Sequence, residues 1–557
     1  MSLRQGLDRA RGALGALIDR AGVAAAVPRA RLREQGARAA RFVEERPALR
    51  RTLAIAATLA TLAITAYVFL TLNKRFYYNY VAYDEGFFVW GGWMITKGFA
   101  PYRDFIEFKP PLVFITHALA QLLFGFKDGG YRKFFTLFPL GSLLALQLSL
   151  VARRFGRVLA MSLLLGFIVL FVNPTWHDTA LSDCESIGVA YFCLGLACLL
   201  WEGRYIKVTT ALGGFFMSCC VLSKEPFVLA VVFTWLGVFW LRGRPRPTRE
   251  SSLLYARYSL LGVGILVFLL CVYMIPTGAM RAYIKMARGY STIYSDPNRS
   301  YCVALGIPHA PTKWGNLKLA WPKIGASFLN ESVLGYLAPI VAAGAIFAFR
   351  RSRALFAVML AAFIGALWAP TATICQWVHY YNMSMVGLLF VMVAGVDSMT
   401  GPLRGAERSI RWGTSLAAFL LVALHAWGDF SKQMDAKYVR PPPFEPVPGA
   451  FDFIKKNTVP SDRIFTTGPP IIYPQTNRRS AVVESNIIDE ILGSYEGKTD
   501  EERLKPIRDQ LVKNKPKVVI LDPENAHRKG RHMTALMMPF LTQFNYKKVT
   551  DYIYLRP

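Results

Sequence analysis

The chain has 557 residues, 53% of them hydrophobic and only 18% charged. Soluble domains average about 45–50% apolar and about 25% charged, so the composition excludes a string of soluble domains, a disordered chain and a collagen-like one, and points to a polytopic membrane protein. The net charge is +29, from 65 Lys+Arg against 36 Asp+Glu. That excess suits an anionic partner such as nucleic acid or the Lys/Arg bias of cytoplasmic loops, and the placement of the charges decides between them.

Residues 1–51 hold twelve Arg, no Lys, and the acids Asp8, Asp19, Glu34, Glu44 and Glu45. The first long apolar run starts at Leu53, too late for the core of a cleavable signal, and the acids argue against a transit peptide. The segment reads as cytoplasmic and basic, resting on an anionic leaflet. Apolar runs of spanning length follow at 53–72, 132–152, 158–173, 186–201, 208–222, 226–241, 254–276, 333–349, 354–370, 382–398 and 411–428. Residues 110–126 are apolar too, but open with Pro110-Pro111.

The positive-inside rule tests this map. With a cytoplasmic N-terminus and a non-crossing 110–126, the loops at 153–157, 204–207, 242–249, 350–353 and 404–411 are cytoplasmic, and all are basic. If 110–126 crossed, every one would move outside. The expected fold is therefore an α-helical polytopic membrane protein with about eleven spans and one short re-entrant or interfacial segment. Outside lie 73–131, 174–185, the long loop 277–332, and the tail 429–557. After Pro441-Pro442-Pro443 the tail alternates strand-like runs (463–466, 517–521, 552–555) with helical stretches (451–457, 500–513, 534–544), the pattern of a small α/β domain. The eight cysteines show no CxxC spacing and support neither a zinc ribbon nor a disulfide scaffold. The expected organisation is a basic segment 1–51, a membrane core 52–428 and an outer α/β domain 429–557.

The first outer segment carries the chemistry. It reads Tyr83-Asp84-Glu85-Gly86, then Gly98-Phe99-Ala100-Pro101-Tyr102-Arg103-Asp104, then Lys109-Pro110-Pro111-Leu112. Adjacent carboxylates beside a membrane are costly unless solvated, paired or bound to a cation. A solvated loop is the plain alternative, and the glycine and aromatic framing with Lys109 nearby argues against it.

The order D-E-G, G-x-x-P-Y-x-D, K-P-P-L resembles the first outer loop of the GT-C glycosyltransferases. The similar branch holds bacterial relatives of the dolichyl-phosphate-mannose protein mannosyltransferases and the aminoarabinose transferases of lipid A. Leu222-Ser223-Lys224 is similar to that family's "tK" turn, and His379-Tyr380-Tyr381 to its "HYxLP" segment, with Asn382-Met383-Ser384 standing where the proline is expected. Phe465 to Tyr473 with Asn477-Arg478 resembles the "G-x-P-x-I-Y…R" run that follows such cores.

The resemblance implies a membrane glycosyltransferase moving a sugar from a polyprenyl-phosphate donor to an outer-face acceptor, a lipid, glycan or protein. Asp84 would be the general base of an inverting displacement, with Glu85 tuning it or orienting the acceptor. Lys109 and Lys224, then His379, Arg281 and Arg288, would stabilise the leaving phosphate. Tyr102 and Tyr380 would touch acceptor or sugar. Either Asp183 or Glu185 would be a second acidic position. Glu85, Asp183 and His177 are candidate ligands for a divalent cation (Mg2+, Mn2+ or Zn2+), although His177-Asp178 also suits a plain span end. The protein would be a multi-pass plasma (inner) membrane protein, its N-terminus cytoplasmic and its tail domain periplasmic or extracellular. A lipid-linked sugar transporter or flippase is the alternative, but it would favour mid-membrane charges and internal repeats, and the sequence has its acids at outer loop edges and no repeat.

Overall fold

The computed structural model describes residues 46–78, 83–126, 129–152, 182–201, 203–242, 249–295, 447–483, 500–522 and 533–557, with isolated positions between 312 and 365. Met1–Ile64 is one compact unit and Thr65–Pro557 another. Of the first unit the described part is the opening of helix α1 (Pro47–Tyr78). The expected spans at 158–173, 382–398 and 411–428, most of those at 333–349 and 354–370, and His177, His379 and Tyr380 lie outside the described residues.

In the second unit α2 (Tyr83–Thr96) and α3 (Pro111–Phe124) pack side by side, and α3 also packs on α4 (Tyr131–Ala152). Then come α5 (Cys184–Leu200), α6 (Ile206–Ser223), α7 (Val228–Arg242) and α8 (Arg249–Met274), with α5 against both α4 and α6 and α6 against α8. The apolar runs expected at 132–152, 186–201, 208–222, 226–241 and 254–276 are all helices. The segment 110–126 is helical as well, started by Pro111 in its first turn, where a missing N–H costs nothing.

Two helices fall where loops were expected. Residues 83–96 form α2, and the stretch 277–332 opens with α9 (Ala279–Ser295). A search for long apolar runs misses both. On α9 the apolar positions recur at helical spacing, Ala279, Tyr283 and Met286 packing on the core while Arg281, Lys285 and Arg288 stay exposed. On α8 the large residues Leu253, Leu260, Leu261, Val267, Phe268 and Leu269 are about half exposed or more. A helix apolar on its exposed face suits lipid and not water.

The tail domain is built on a five-stranded sheet in the order β2-β1-β3-β5-β4. Strands β1 (Arg463–Thr466), β2 (Arg479–Ser480) and β3 (Val518–Ile520) are parallel, while β5 (Ile553–Leu555) runs antiparallel to β3 and to β4 (Lys547–Lys548). The short polar β2 and β4 were not evident from sequence. Alternation sends Phe465, Val519 and Tyr554 to one face, under α12 (Asp500–Asn514) and α13 (Met533–Gln543). Ile464, Val518, Ile520 and Ile553 face the other way and join a core shared with α10 (Ala450–Asn457), α11 (Ile472–Thr476) and the buried residues of α2.

The α6–α8 crossing is close enough to admit only hydrogen at one position on each helix. A Cβ on Gly262 would sit 1.9 Å from the Ala211 carbonyl oxygen, and one on Gly214 would sit 2.1 Å from that of Ser259. Small residues of this kind let helix backbones approach in an apolar medium. Gly262→Val should separate the helices and lower stability by about 1–3 kcal/mol, read as a lower unfolding midpoint in detergent. Gly264→Ala, where a Cβ meets nothing within 4 Å, should leave the midpoint unchanged.

Candidate active site

The motif residues of the first outer loop build a tight platform. Ala100 N donates to Asp104 Oδ2 at 2.8 Å, Tyr102 N donates to the Phe105 carbonyl at 2.7 Å, and Pro101 and Phe105 form a β-bridge. Burial works to raise the Asp104 pKa, but the Arg103 guanidinium at 2.6 Å and the Ala100 N–H outweigh it and hold the carboxyl below its ordinary value. Arg103 also donates to the Thr277 carbonyl at 2.7 Å, which ties the loop to the end of α8.

Tyr102 is left-handed, with φ of 64°, a conformation that costs a bulky residue on the order of 1–3 kcal/mol and that surrounding structure must enforce. The strain aims its side chain inward. The ring lies 4.9 Å from that of Tyr283 on α9, and its hydroxyl donates to the Lys109 carbonyl at 2.7 Å. Burial, with Tyr283, Glu225 and Glu107 nearby, raises the phenol well above its ordinary value and keeps it a donor. Tyr102, expected to meet acceptor or sugar, is thus a buried support for the backbone of Lys109.

Lys224 ends α6 and is 5% exposed. Its Nζ lies 2.7 Å from Glu185 Oε1 and 3.6 Å from the Cys184 sulfur, both on the first turn of α5. His117 on α3 helps place that turn, its Nε2 being 2.8 Å from the Ser182 carbonyl oxygen. Next to Lys224, Glu225 is exposed at its surface but crowded by the surrounding protein. This crowding raises its carboxyl pKa, opposed by Lys224 and Lys109 and reinforced by Glu185. Lys109 and Lys224, 115 positions apart in the numbering (224 − 109), therefore act on one small region with Glu185 and Glu225. Asp183, the other acidic candidate, precedes α5 and is buried, and its carbonyl accepts from Ile187 N.

Asp84 is the second residue of α2, and Glu85 the third. Glu85 is 1% exposed. Arg132 Nη2 lies 3.1 Å from its Oε2, and Arg132 Nε and the Tyr131 hydroxyl each donate to Oε1 at 3.3 Å. Sequence reading missed these two partners because they sit at the head of an apolar run.

Glu85 is thus held by Arg132 and Tyr131, and Glu185 by Lys224. Among the described residues no three His, Cys, Asp or Glu side chains gather so as to hold a metal ion. Of the expected set, Glu85 is taken up by Arg132 and Tyr131, and His177 lies outside the described residues.

On α9, Arg281, Lys285 and Arg288 line one cavity of about 600 Å³ with Ile275, Met280 and Ile284. Their spacing of four and three puts them on one helical face. Arg281 and Arg288 are therefore together, with Lys285 added, and α9 meets the motif loop through Tyr283. In the tail domain Arg478 is buried, donating to Thr458 Oγ1, the Thr458 carbonyl and the Thr476 carbonyl, each at 2.7 Å. The arginine of the "G-x-P-x-I-Y…R" run is a clamp within the domain.

Removing one member of a buried ion pair costs about 3–5 kcal/mol, far more than replacing both. Arg132→Met should therefore destabilise the protein strongly, while Arg132→Met with Glu85→Met should recover most of the unfolding midpoint.

No family model and no curated protein matches the chain at the level of sequence. Solved structures do match. ArnT from Cupriavidus metallidurans in the apo state has a TM-score of 0.51 at 12% identity, over 91% of this chain and 97% of that one. The same protein bound to undecaprenyl phosphate has a TM-score of 0.50 at 13% identity, over 90% and 98%. The oligosaccharyltransferase of Archaeoglobus fulgidus in the apo form has a TM-score of 0.44 at 12% identity, over 83% and 69%. At such identities the likeness is one of fold: the chain shares the fold of the ArnT structures, in agreement with the GT-C resemblance of its outer-loop motifs.

Proposed function

We propose that the protein is a membrane glycosyltransferase that moves a sugar from a polyprenyl-phosphate donor to an acceptor at the outer face of the membrane. The observation that carries this reading is the convergence of Lys109 and Lys224 on one region beside Cys184, Glu185 and Glu225, with the Lys109 carbonyl held by Tyr102 of the outer-loop motif. An ArnT structure with the same fold was determined with undecaprenyl phosphate bound, which supports a donor of that chemical class. The organisation is a cytoplasmic segment 1–51, a core 52–428 that crosses the membrane about eleven times, and an outer domain 429–557.

In the reaction the acceptor hydroxyl or amine attacks the anomeric carbon. Asp84 takes the proton from the attacking group. The bond from the anomeric carbon to the phosphate oxygen breaks, and the electron pair leaves with the lipid phosphate. One displacement inverts the anomeric centre. A phosphate is a good leaving group, so the site needs positioned positive charge more than a protonating acid. Lys109 and Lys224 supply it, with Arg281 and Arg288 on α9 as a further basic face. Glu185 serves as the second acidic position and holds Lys224 in place until the phosphate arrives. Glu85, bound to Arg132, anchors the first turn of α2.

Asp84→Asn should leave the protein folded and inserted but lower sugar transfer by about 10²-fold or more, followed with a radiolabelled polyprenyl-phosphate sugar. Full activity would remove the general base. Lys109→Ala should weaken donor binding and transfer together, and unchanged donor KM and kcat would take Lys109 out of the site. Movement of the lipid-linked sugar across vesicles without glycosidic bond formation would favour the flippase reading instead.

A further inference from the structure

The tail-domain sheet has an unusual neighbour at the place where such sheets bind ligands. From β1 the chain crosses to β2 on one side and then to β3 on the other, so the crevice at the carboxyl ends of β1 and β3 is a topological switch point. The loop there is rigidly tied. Thr467 N donates to the Ile520 carbonyl at 3.0 Å, Asp522 N donates to Thr467 Oγ1 at 2.9 Å, and Gly468 N donates to Thr466 Oγ1 at 2.9 Å. Gly468 lies flat against Asp522, since a Cβ on it would sit 2.7 Å from Oδ2.

The loop bears on α2. A Cβ on Gly86 would lie 3.5 Å from Pro469 Cβ and 3.6 Å from Ile471 Cβ. One helical turn on, Trp90 packs against Tyr473 with ring centroids 5.6 Å apart. Positions 86 and 90 share a helix face, so the contact is a continuous seam. Two further ties flank it: Ile106 N donates to the Val483 carbonyl at 2.8 Å, and the Arg479 guanidinium lies 4.9 Å over the Phe99 ring.

We propose that the β1–α11 loop is a positioning element for the first turn of α2, with Pro469 and Ile471 seated on Gly86 so that the tail domain sets where the Asp84-Glu85 turn stands. The proposal rests on Asp84 being the base. The third residue of the D-E-G motif then has a physical reason. Its α-hydrogen face is the seat for the loop, where one methyl already stands at ordinary contact distance from Pro469 and Ile471. On the adjoining face Arg132 and Tyr131 hold Glu85, so the turn is held at two neighbouring positions. Pro469, Ile471 and Gly86 are positioning residues, none of them a catalytic residue.

The test compares Gly86→Ala, Gly86→Val, Ile471→Ala and the double variant Gly86→Val with Ile471→Ala in the full-length protein, each with its unfolding midpoint measured. Gly86→Ala should keep wild-type kcat. Gly86→Val should lose kcat by about tenfold or more at nearly unchanged donor KM, because a displacement near 1 Å of a reacting group can cost up to about 10²-fold. The double variant should regain most of that kcat. Gly86→Val as active as Gly86→Ala would overturn the proposal. So would a loss that the double variant does not recover, or one that follows a fall in the unfolding midpoint. Asp84→Asn is measured alongside: if it is active, the reading of the base fails by itself, whereas a rescue pattern in the Gly86 series still reports on the seam.

Discussion

A carboxylate with 1% of its surface exposed in an apolar helix bundle needs a cation beside it, and the site depends on how that need is met. Leaving a charge uncompensated in such surroundings costs several kcal/mol. Glu85 has Arg132 at 3.1 Å and Glu185 has Lys224 at 2.7 Å. These two pairs are spacers as much as attractions. The first fixes the opening of α2 against the head of α4, and the second fixes the opening of α5 against the end of α6.

Around this frame the motif loop converts backbone strain into placement. Tyr102 takes up a left-handed conformation because hydrogen bonds from Ala100 and Tyr102 and the Arg103–Asp104 pair close the loop around it. The outcome is a hydroxyl under the Lys109 carbonyl and a ring on Tyr283 of α9. A lysine at a membrane surface is ordinarily a mobile charge. Here its main chain is pinned, and under the proposed reaction that matters, since stabilisation of developing charge is strongest from groups that need not reorganise. The tail domain extends the same logic, with the crevice of its sheet filled by the core.

Much of this was legible in the sequence. The apolar runs at 132–152, 186–201, 208–222, 226–241 and 254–276 became helices, and the runs at 463–466, 517–521 and 552–555 became strands, because hydrophobic periodicity is a local property. Lys109 and Lys224 were singled out by their motif context, and the structure brings both near Cys184 and Glu225. What escaped notice is equally instructive. Helix α9 is amphipathic with a basic face and is too polar to register as a span. Strands β2 and β4, Arg479–Ser480 and Lys547–Lys548, carry no apolar signal and exist only because β1 and β5 offer them hydrogen bonds. Tyr102 looked like a residue for touching ligand, since its burial comes from Phe114 and Tyr283 and cannot be read from its own neighbours in the chain.

The sequence by itself determined the class of protein, its strongly apolar helices and strands, and the order of the outer-loop motifs, because composition and periodicity act over a few residues at a time. Only the tertiary structure decided which charges meet and what packs on the glycine at 86. The Arg132–Glu85 contact joins residues 47 positions apart, and Lys224 reaches a cysteine 40 positions away. The loop on Gly86 comes from beyond position 460. Such pairings arise when helices already formed are packed together, and desolvation then leaves each buried charge only the partners that the packing has brought within reach.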